Sequence, residues 1–379
     1  MSKIKIGITK IAIIVFRAVL NVVYCVLKAF PTKNNKVVFC SRQSDDIPLD
    51  FSMIQEVLLK DNPDVKIINV CCRIKKSIGS YILFFIKMLK SMYHLATSKV
   101  CVIDAYWPAV SLLNHKKSLK VIQLWHSIGK MKKSGYQSLD KKSGRNKDLS
   151  NLLRMHKNYN YIIGGAPFWN PFYTEAFNIS EDKILNYGLP RIDYLINSEQ
   201  RNKERFLKEY PRFAGKTIIL YAPTFRRGMK SAWSEIFDAD IADNQVIIVK
   251  NHPSQVWSKR DEVEHIAYMD DWSTLDMLCV CHFVITDYSS IALEAAVLKK
   301  KTFFWTYDYD EYMQNSGINI NLREEAGSNL SESIDKILKD IRENNYDAEL
   351  QKKYIEKFLP DEMGNSTVKI ARFIESLMT

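Results

Sequence analysis

This chain of 379 residues lacks most of the features that classify a sequence at a glance. It has no Cys-x-x-Cys pair, and its seven cysteines are an odd number, which argues against a disulfide framework and the common zinc spacings. Cys40, Cys71, Cys72, Cys101, Cys279 and Cys281 fall in apolar runs and read as reduced core residues of a cytosolic chain. Cys279-x-Cys281-His282 suggests metal chemistry, but neighbours on a strand face opposite ways, so Cys281 and His282 cannot easily share an ion. No run of about 20 residues is both uncharged and strongly apolar, which argues against a polytopic membrane protein. No internal repeat of 20–50 residues is visible. There is no glycine-rich phosphate fingerprint, and no aromatic and basic platform of the kind that binds RNA, so a nucleic-acid partner is set aside.

What is present is ordinary globular composition, 46% hydrophobic and 26% charged, at a length that suits two domains. The formal net charge of +11 is unevenly spread. Residues 1–165 carry 28 Lys/Arg against 9 Asp/Glu; residues 166–379 carry 26 against 34. A basic first half and a mildly acidic second half point to an anionic surface or ligand facing the first.

Residues 1–30 stand apart. Lys3, Lys5 and Lys10 precede an apolar run that Arg17 splits and Asn21 interrupts. No small-residue cleavage site follows, as a signal peptide requires. A spanning helix would hold Arg17 near its centre at a cost of about 2.5–3.5 kcal/mol. On a helical wheel Lys10, Arg17, Asn21 and Lys28 share one side, the pattern of a helix lying in the membrane interface. A buried core helix is the remaining alternative.

After Pro31 short apolar runs alternate with longer mixed segments. Strands are expected at Lys36–Cys40, Val65–Cys71, Val100–Asp104, Val121–Trp125 and Tyr159–Ile163. A second set is expected at Thr217–Tyr221, Gln245–Lys250, His265–Met269, Phe283–Thr286 and Lys301–Phe304. Helical stretches lie between them, among them Ile54–Lys60, Ile82–Ala96, Gln200–Tyr210, Thr274–Val280 and Ile291–Lys299. This is the βαβ rhythm of parallel, doubly wound sheets. The joint falls near Gly188-Leu189-Pro190-Arg191. The expected domains are a membrane helix over residues 1–30, a first Rossmann-like domain over 31–195, and a second over 196–379 with the C-terminal helices. Ligands of such sheets bind at the carboxyl ends of the strands, so two facing sheets would form a cleft there.

The informative residues follow strands. His126 ends Val121-Ile122-Gln123-Leu124-Trp125 and opens a loop, well placed for a general base; a surface loop histidine is the bland alternative. The loop carries Lys130, Lys132, Lys133 and six further cations, which suit an acceptor phosphate, a lipid phosphate or plain solvation. Tyr221-Ala222-Pro223-Thr224-Phe225-Arg226-Arg227 runs from a strand end into a turn with two arginines, whose forks suit phosphate oxygens. Lys250-Asn251-His252-Pro253 is a second such end. Thr286-Asp287-Tyr288-Ser289-Ser290 leads into the helix beginning at Ile291, where either serine could cap and the backbone N–H groups could meet a phosphate. Glu294 lies one position beyond the capping-box partner and so could meet a ribose diol. Asp308-x-Asp310 formally fits DxD but sits among aromatics, and reads as structural or as part of a substrate rim.

Together Trp125-His126, Tyr221 to Arg226, Lys250 to Pro253 and Thr286 to Ser290 resemble, in order and spacing, the CDP-glycerol glycerophosphotransferase family of teichoic acid primases and polymerases. Gly188-Leu189-Pro190-Arg191 and the segment Trp305 to Tyr312 fit the same pattern. The resemblance implies a GT-B-like α/β fold and transfer of a polyol phosphate, glycerol phosphate first and ribitol phosphate second, from a CDP-alcohol to an acceptor hydroxyl, with release of CMP. It implies His126 as the base and His252 as its catalytic partner. Arg226, Ser289 and Ser290 would hold the pyrophosphate, Glu294 would face the ribose or the nucleotide, and Lys250 and Asp287 match motif positions. No metal or other cofactor is called for, since cations and a helix N-terminus can neutralise the phosphates. With about 30 residues before the first strand, the chain is expected to be a compact primase-like or capsule-type transferase. Its acceptor would be a glycan on a lipid diphosphate at the cytoplasmic face of the bacterial membrane, where the enzyme is peripheral. The rival readings are a GT-B glycosyltransferase using a nucleotide sugar and an inactive membrane scaffold.

Overall fold

The structure is a computed structural model that describes residues 3–142, 144–224, 226, 232–251 and 265–379, with residues 3–9 by backbone alone. The chain divides into two compact units. The first holds residues 1–127, 134–191 and 365–379; the second holds 128–133 and 192–364.

The first unit is built on a six-stranded parallel sheet in the order β2-β1-β3-β4-β5-β6. The strands are β1 (Lys33–Ser41), β2 (Lys66–Cys71), β3 (Ser98–Ile103), β4 (Lys120–Gln123), β5 (Tyr161–Ile163) and β6 (Ile184–Leu185). Its helices are α1 (Lys3–Leu27), α2 (Leu49–Asp61), α3 (Ile78–Thr97), α4 (Pro108–Leu112), α5 (Lys147–Leu152) and α6 (Asn170–Phe177). Residues 37–40 of β1 are buried on both faces, which is why they read as one apolar run. Val37 and Phe39 pack with Phe51, Ile54 and Leu58 of α2 on one side, and α3 covers the sheet on the other.

The second unit opens with α7 (Pro190–Glu209) and carries a six-stranded parallel sheet in the order β12-β11-β10-β7-β8-β9. Its strands are β7 (Thr217–Tyr221), β8 (Gln245–Val249), β9 (Ile266–Ala267), β10 (Phe283–Thr286), β11 (Lys301–Trp305) and β12 (Leu330–Ser331). The helices are α8 (Thr274–Val280), α9 (Ile291–Val297), α10 (Tyr309–Asn315), α11 (Leu322–Ala326), α12 (Ile334–Arg342) and α13 (Ala348–Phe358). Ile219, Tyr221, Ile247, Ile285 and Phe303 form its core with Ile337 and Ile341 of α12. All seven cysteines are free thiols; six are buried, and Cys25 is exposed.

Two differences from the sequence reading have plain causes. The final helix, α14 (Ser366–Met378), was grouped with the second domain but packs on α2, inserting Ile370, Ala371 and Ile374 into the first core. Chain order suggested the wrong partner because the apolar face of an amphipathic helix does not say which sheet it covers. The strands β6 and β12 were missed; each is a two-residue edge strand, too short for any periodicity.

Candidate active site

In the first unit β1, β3 and β4 are neighbours in register, so the residues at or just beyond their carboxyl ends meet. These are Ser41, Asp104 and His126. The Ser41 hydroxyl donates to Asp104 Oδ2 at 2.6 Å, and the Arg42 backbone N–H approaches Oδ1 at 3.3 Å. Burial pushes the Asp104 carboxyl up to about 6; those two hydrogen bonds oppose the shift and the Asp50 carboxylate adds to it.

The backbone turns sharply at Trp125, whose φ of +62° lies in the left-handed region that a bulky residue rarely occupies. Beyond it the His126 ring lies against the Trp125 indole, with centroids 4.1 Å apart. His126 Nδ1 is 2.9 Å from the Asp104 carbonyl oxygen. A carbonyl only accepts, so Nδ1 carries the hydrogen and Nε2 is the basic nitrogen of the neutral ring. The Gln43 amide, 3.3 Å from Nδ1, can share that hydrogen only with its oxygen turned toward the ring. The main chain is fixed as well. Arg191 Nη1 donates to the His126 carbonyl at 3.1 Å, while its backbone N–H and Nε donate to Asp50, at the start of α2, at 2.8 and 3.0 Å.

The second unit builds its strand ends differently. Arg226 was expected to grip a pyrophosphate. Its guanidinium is instead 1% exposed, with Nη1 2.8 Å from Asp287 Oδ2 and Nε 2.8 Å from Asp308 Oδ2. Tyr288, Tyr307 and Tyr312 ring it at 5.2–5.5 Å, and the Tyr288 hydroxyl donates to Asp308 at 3.0 Å. Asp287 also accepts the Thr224 N–H with both oxygens, at 2.9 and 3.0 Å. This buried cluster ties the ends of β7, β10 and β11 together, with Arg226 and Asp287 bonded to one another inside it. Asp308, the first residue of the DxD-like pair, is structural for the same reason.

The lysines of the loop after β4 also differ from expectation. Lys130 is 1% exposed and donates to the Lys132 carbonyl at 3.0 Å; Asn319 donates to the Lys130 carbonyl at 2.6 Å. Lys132 donates to the Thr224 hydroxyl. Burial pulls its ammonium down to about 8, Asp287 opposing and Arg226 adding to the shift. Lys133 is half-buried and its N–H bonds the Gly317 carbonyl at 3.3 Å. Residues 128–133 are thus part of the second unit, and Lys130 and Lys132 do not form the open basic surface anticipated.

Lys250, at the end of β8, donates to the carbonyls of Met269 and Trp272 at 2.6 Å each and so closes a loop. Ser290 holds the cap position of α9 without a side-chain cap bond, while Ser289 Oγ accepts the Ile291 N–H at 3.4 Å. Both serines are half-buried beside the Asp287 cluster. Glu294 is 2% exposed, because α9 is buried from Ala292 to Val297, so it is not the open ribose contact its spacing suggested. Cys281 is buried and donates to the Leu278 carbonyl, whereas His282 is exposed and its Nδ1 accepts the Ile218 N–H at 3.0 Å. His252, Phe225, Arg227 and Pro253 lie outside the described residues.

The sequence reading missed Asp104, Ser41 and Asp50 and gave Arg191 no task. Asp104 and Ser41 follow the same rule that picked out His126, being polar residues at strand ends. Asp50 had no such signal, since its partner lies 141 positions away.

Two parallel-sheet units of Rossmann type, with functional groups gathered at strand carboxyl ends, define a GT-B-like enzyme. Residues 22–376 match the family model CDP-Glycerol:Poly(glycerophosphate) glycerophosphotransferase, and the chain belongs to that family. It is a transferase that moves a polyol phosphate from a CDP-activated alcohol in teichoic acid synthesis. It is 27% identical over 380 residues to the teichoic acid ribitol-phosphate primase of Bacillus spizizenii, covering 96% of this chain and 97% of that one. It is 29% identical over 364 residues to the teichoic acid poly(ribitol-phosphate) polymerase of the same species, of which it spans 57%. Its fold is similar to that of a wall teichoic acid polymerase TagF variant soaked with CDPG, with a TM-score of 0.77 at 18% identity over 98% of this chain and 97% of that one.

Proposed function

We propose that the donor is CDP-glycerol or CDP-ribitol and that the acceptor is a hydroxyl of a glycan carried on a lipid diphosphate. The observation that carries the base assignment is the hydrogen bond from His126 Nδ1 to the Asp104 carbonyl, which leaves Nε2 to take a proton. His126 Nε2 accepts the acceptor hydroxyl proton as that oxygen bonds to the alcohol-bearing phosphorus. The bond from that phosphorus to the bridging oxygen breaks in line, and CMP leaves with the electron pair. Lys132, Ser289 and Ser290 supply cationic charge and hydroxyl donors for the pyrophosphate, above the Arg226–Asp287–Asp308 scaffold. Lys130, Lys133 and Lys250 hold the loops that frame it. His252 is proposed to assist the leaving phosphate.

The enzyme is further proposed to work at the cytoplasmic face of the membrane as a peripheral protein, through α1. One side of α1 faces the first unit: Lys10 pairs with Asp148 at 2.7 Å, Asn21 bonds the Leu112 carbonyl at 3.1 Å, and Tyr24 meets His115 at 2.8 Å. The opposite side exposes Ile11, Val15, Val19, Val22 and Val26. A window over Lys10–Leu27 has a mean hydropathy of 2.1, long and apolar enough to cross a membrane by length and composition. The bonds of its polar side favour a helix that lies on the surface instead.

The test is incubation with each CDP-alcohol and a lipid-linked acceptor, with CMP release and product mass measured. A product heavier by one or more glycerol or ribitol phosphates supports the proposal. CMP release with no gain in acceptor mass contradicts the acceptor assignment.

A further inference from the structure

The carboxyl edge of the first sheet carries two arginines that the mechanism leaves unused. Arg42 follows β1 and precedes Gln43, which meets the His126 ring. Arg145, exposed, comes from the long loop between β4 and α5. Both guanidiniums lie against the ring of Tyr106, with Cζ 6.0 and 5.1 Å from its centre, so they are at most about 11 Å apart. That ring is a fixed support: it is buried, its hydroxyl donates to the Leu153 carbonyl at 2.9 Å, and His156 packs against it. Arg42 Nη1 donates to the Tyr106 carbonyl at 2.9 Å.

Like charges gathered in this way call for an anion, and the acids nearby are committed to other groups. Asp104 accepts from the Ser41 hydroxyl and from the Arg42 backbone N–H. Asp140 accepts the Lys147 N–H and the Asn146 amide, and Asp148 pairs with Lys10. Among the described residues neither Arg42 nor Arg145 has a carboxylate at ion-pair distance. Burial and the neighbouring Arg145 pull the Arg42 guanidinium below its ordinary value, with Tyr106, Tyr159 and Asp104 opposing only in part. A bound anion would reverse that cost. The other sheltered arginines of this protein already have theirs: Arg191 has Asp50, and Arg226 has Asp287 and Asp308.

We propose that Arg42 and Arg145 hold a phosphate of the acceptor, close to the hydroxyl that His126 deprotonates. The reach is suitable. Arg42 Nη1 and His126 Nδ1 bond the carbonyls of Tyr106 and Asp104, two residues apart on one loop, at 2.9 Å each. Two residues span at most about 7 Å, so the guanidinium lies within about 13 Å of the imidazole. A phosphate one polyol unit back from the reacting hydroxyl falls within that span, as does a diphosphate beneath a short glycan. Guanidinium forks pair with two phosphate oxygens at once and stay charged at any working pH. The pair therefore selects acceptors that carry phosphate near the reacting end. Lys130 and Lys132, first expected in this role, belong to the second unit. The inference deepens the acceptor assignment made above and rests on it.

Three soluble acceptor probes are compared by calorimetric titration of the full-length protein without donor. One is a short glycan on an alkyl diphosphate. The second is the same glycan on a neutral alkyl chain, with a glycerol phosphate at its reacting end. The third is the glycan on the neutral chain alone. Wild type is expected to bind at least one phosphate-bearing probe about tenfold or more tighter than the third, the worth of a charge-assisted hydrogen bond. Arg42→Gln/Arg145→Gln is expected to bind all three alike and to bind CDP-glycerol as wild type does. The probe whose advantage disappears identifies the phosphate. Arg145→Gln alone, at an exposed position, covers the case in which the Arg42 change unfolds the chain, and is expected to lose at least about threefold of the advantage. Equal binding of the three probes by wild type overturns the inference, as does a preference that survives unchanged in either folded variant. Weaker binding of CDP-glycerol with the acceptor preference intact assigns the arginines to the donor and also overturns it. If neither CDP-alcohol yields CMP while the arginine-dependent preference stands, the donor assignment falls and the phosphate site is supported.

Discussion

The two units place charge at strand ends to opposite purposes. In the first, the ion pair Asp50–Arg191 and the carboxyl of Asp104 surround a histidine whose ring is oriented by a main-chain carbonyl. The charged groups hold the frame, and the titratable group is the one presented. In the second, Arg226, Asp287 and Asp308 neutralise one another inside a cage of tyrosines. There the strongest cation is committed to the scaffold, and the groups proposed to meet the phosphates are a lysine and two hydroxyls. An arginine after a strand therefore does not identify a phosphate ligand until its carboxylate partners are known.

The comparison breaks first, and by the largest margin, at Arg226. Removing one partner of a buried ion pair costs roughly 3–5 kcal/mol. Arg226→Met is expected to lower thermal stability by about that much, with CMP release falling in proportion to the folded fraction. Unchanged stability with a raised KM for the CDP-alcohol would return Arg226 to the role of a phosphate ligand.

Asp104 offers a smaller effect with a definite sign. Its folded-state carboxyl is raised to about 6 from an ordinary 3.8, so folding favours the protonated form. Stability from this group is fully present below about pH 3.8, declines as pH rises toward 6, and is absent above it. Asp104→Asn removes the titration, while an amide can still accept from Arg42 N–H and donate to the Ser41 hydroxyl. The variant is expected to be more stable than wild type at pH 7, by up to about 2–3 kcal/mol at roughly 1.4 kcal/mol per pKa unit. Urea melts at pH 4 and pH 7 check it; a variant less stable at both values contradicts the account.

The smallest effect is expected at Lys132, whose ammonium is pulled down to about 8. Its positive charge is largely present at pH 7 and lost as pH passes 8. KM for the CDP-alcohol is expected to rise several-fold between pH 7 and 9. In Lys132→Arg that rise should vanish, since the guanidinium stays charged. A wild-type KM flat across this range would remove Lys132 from the phosphate site.

Much of this was legible in the chain. Ten of the twelve strands among the described residues were placed by their apolar runs, because strands buried on both faces carry a strong signal. Strand-end positions also singled out His126 and Asp287, since in parallel sheets those positions converge whatever the helices do. Local pattern could not show what a side chain bonds to. Arg226 reads the same whether it faces a phosphate or Asp308, 82 residues on. Lys132 reads as one cation of an exposed basic loop, yet it meets Thr224, 92 positions away. Glu294 looked open because its spacing freed it from capping, but spacing says nothing of the burial of α9.

The proposed division of labour gives the first unit a base and the second a scaffolded phosphate site. It is tested most directly by the rate of CMP release from CDP-glycerol or CDP-ribitol by His126→Ala, on a lipid-linked acceptor at saturating donor. Loss of general-base help is expected to lower kcat by about 10²–10⁴, with melting temperature and donor KM close to wild type. Turnover equal to wild type would contradict the account and remove His126 from the chemistry.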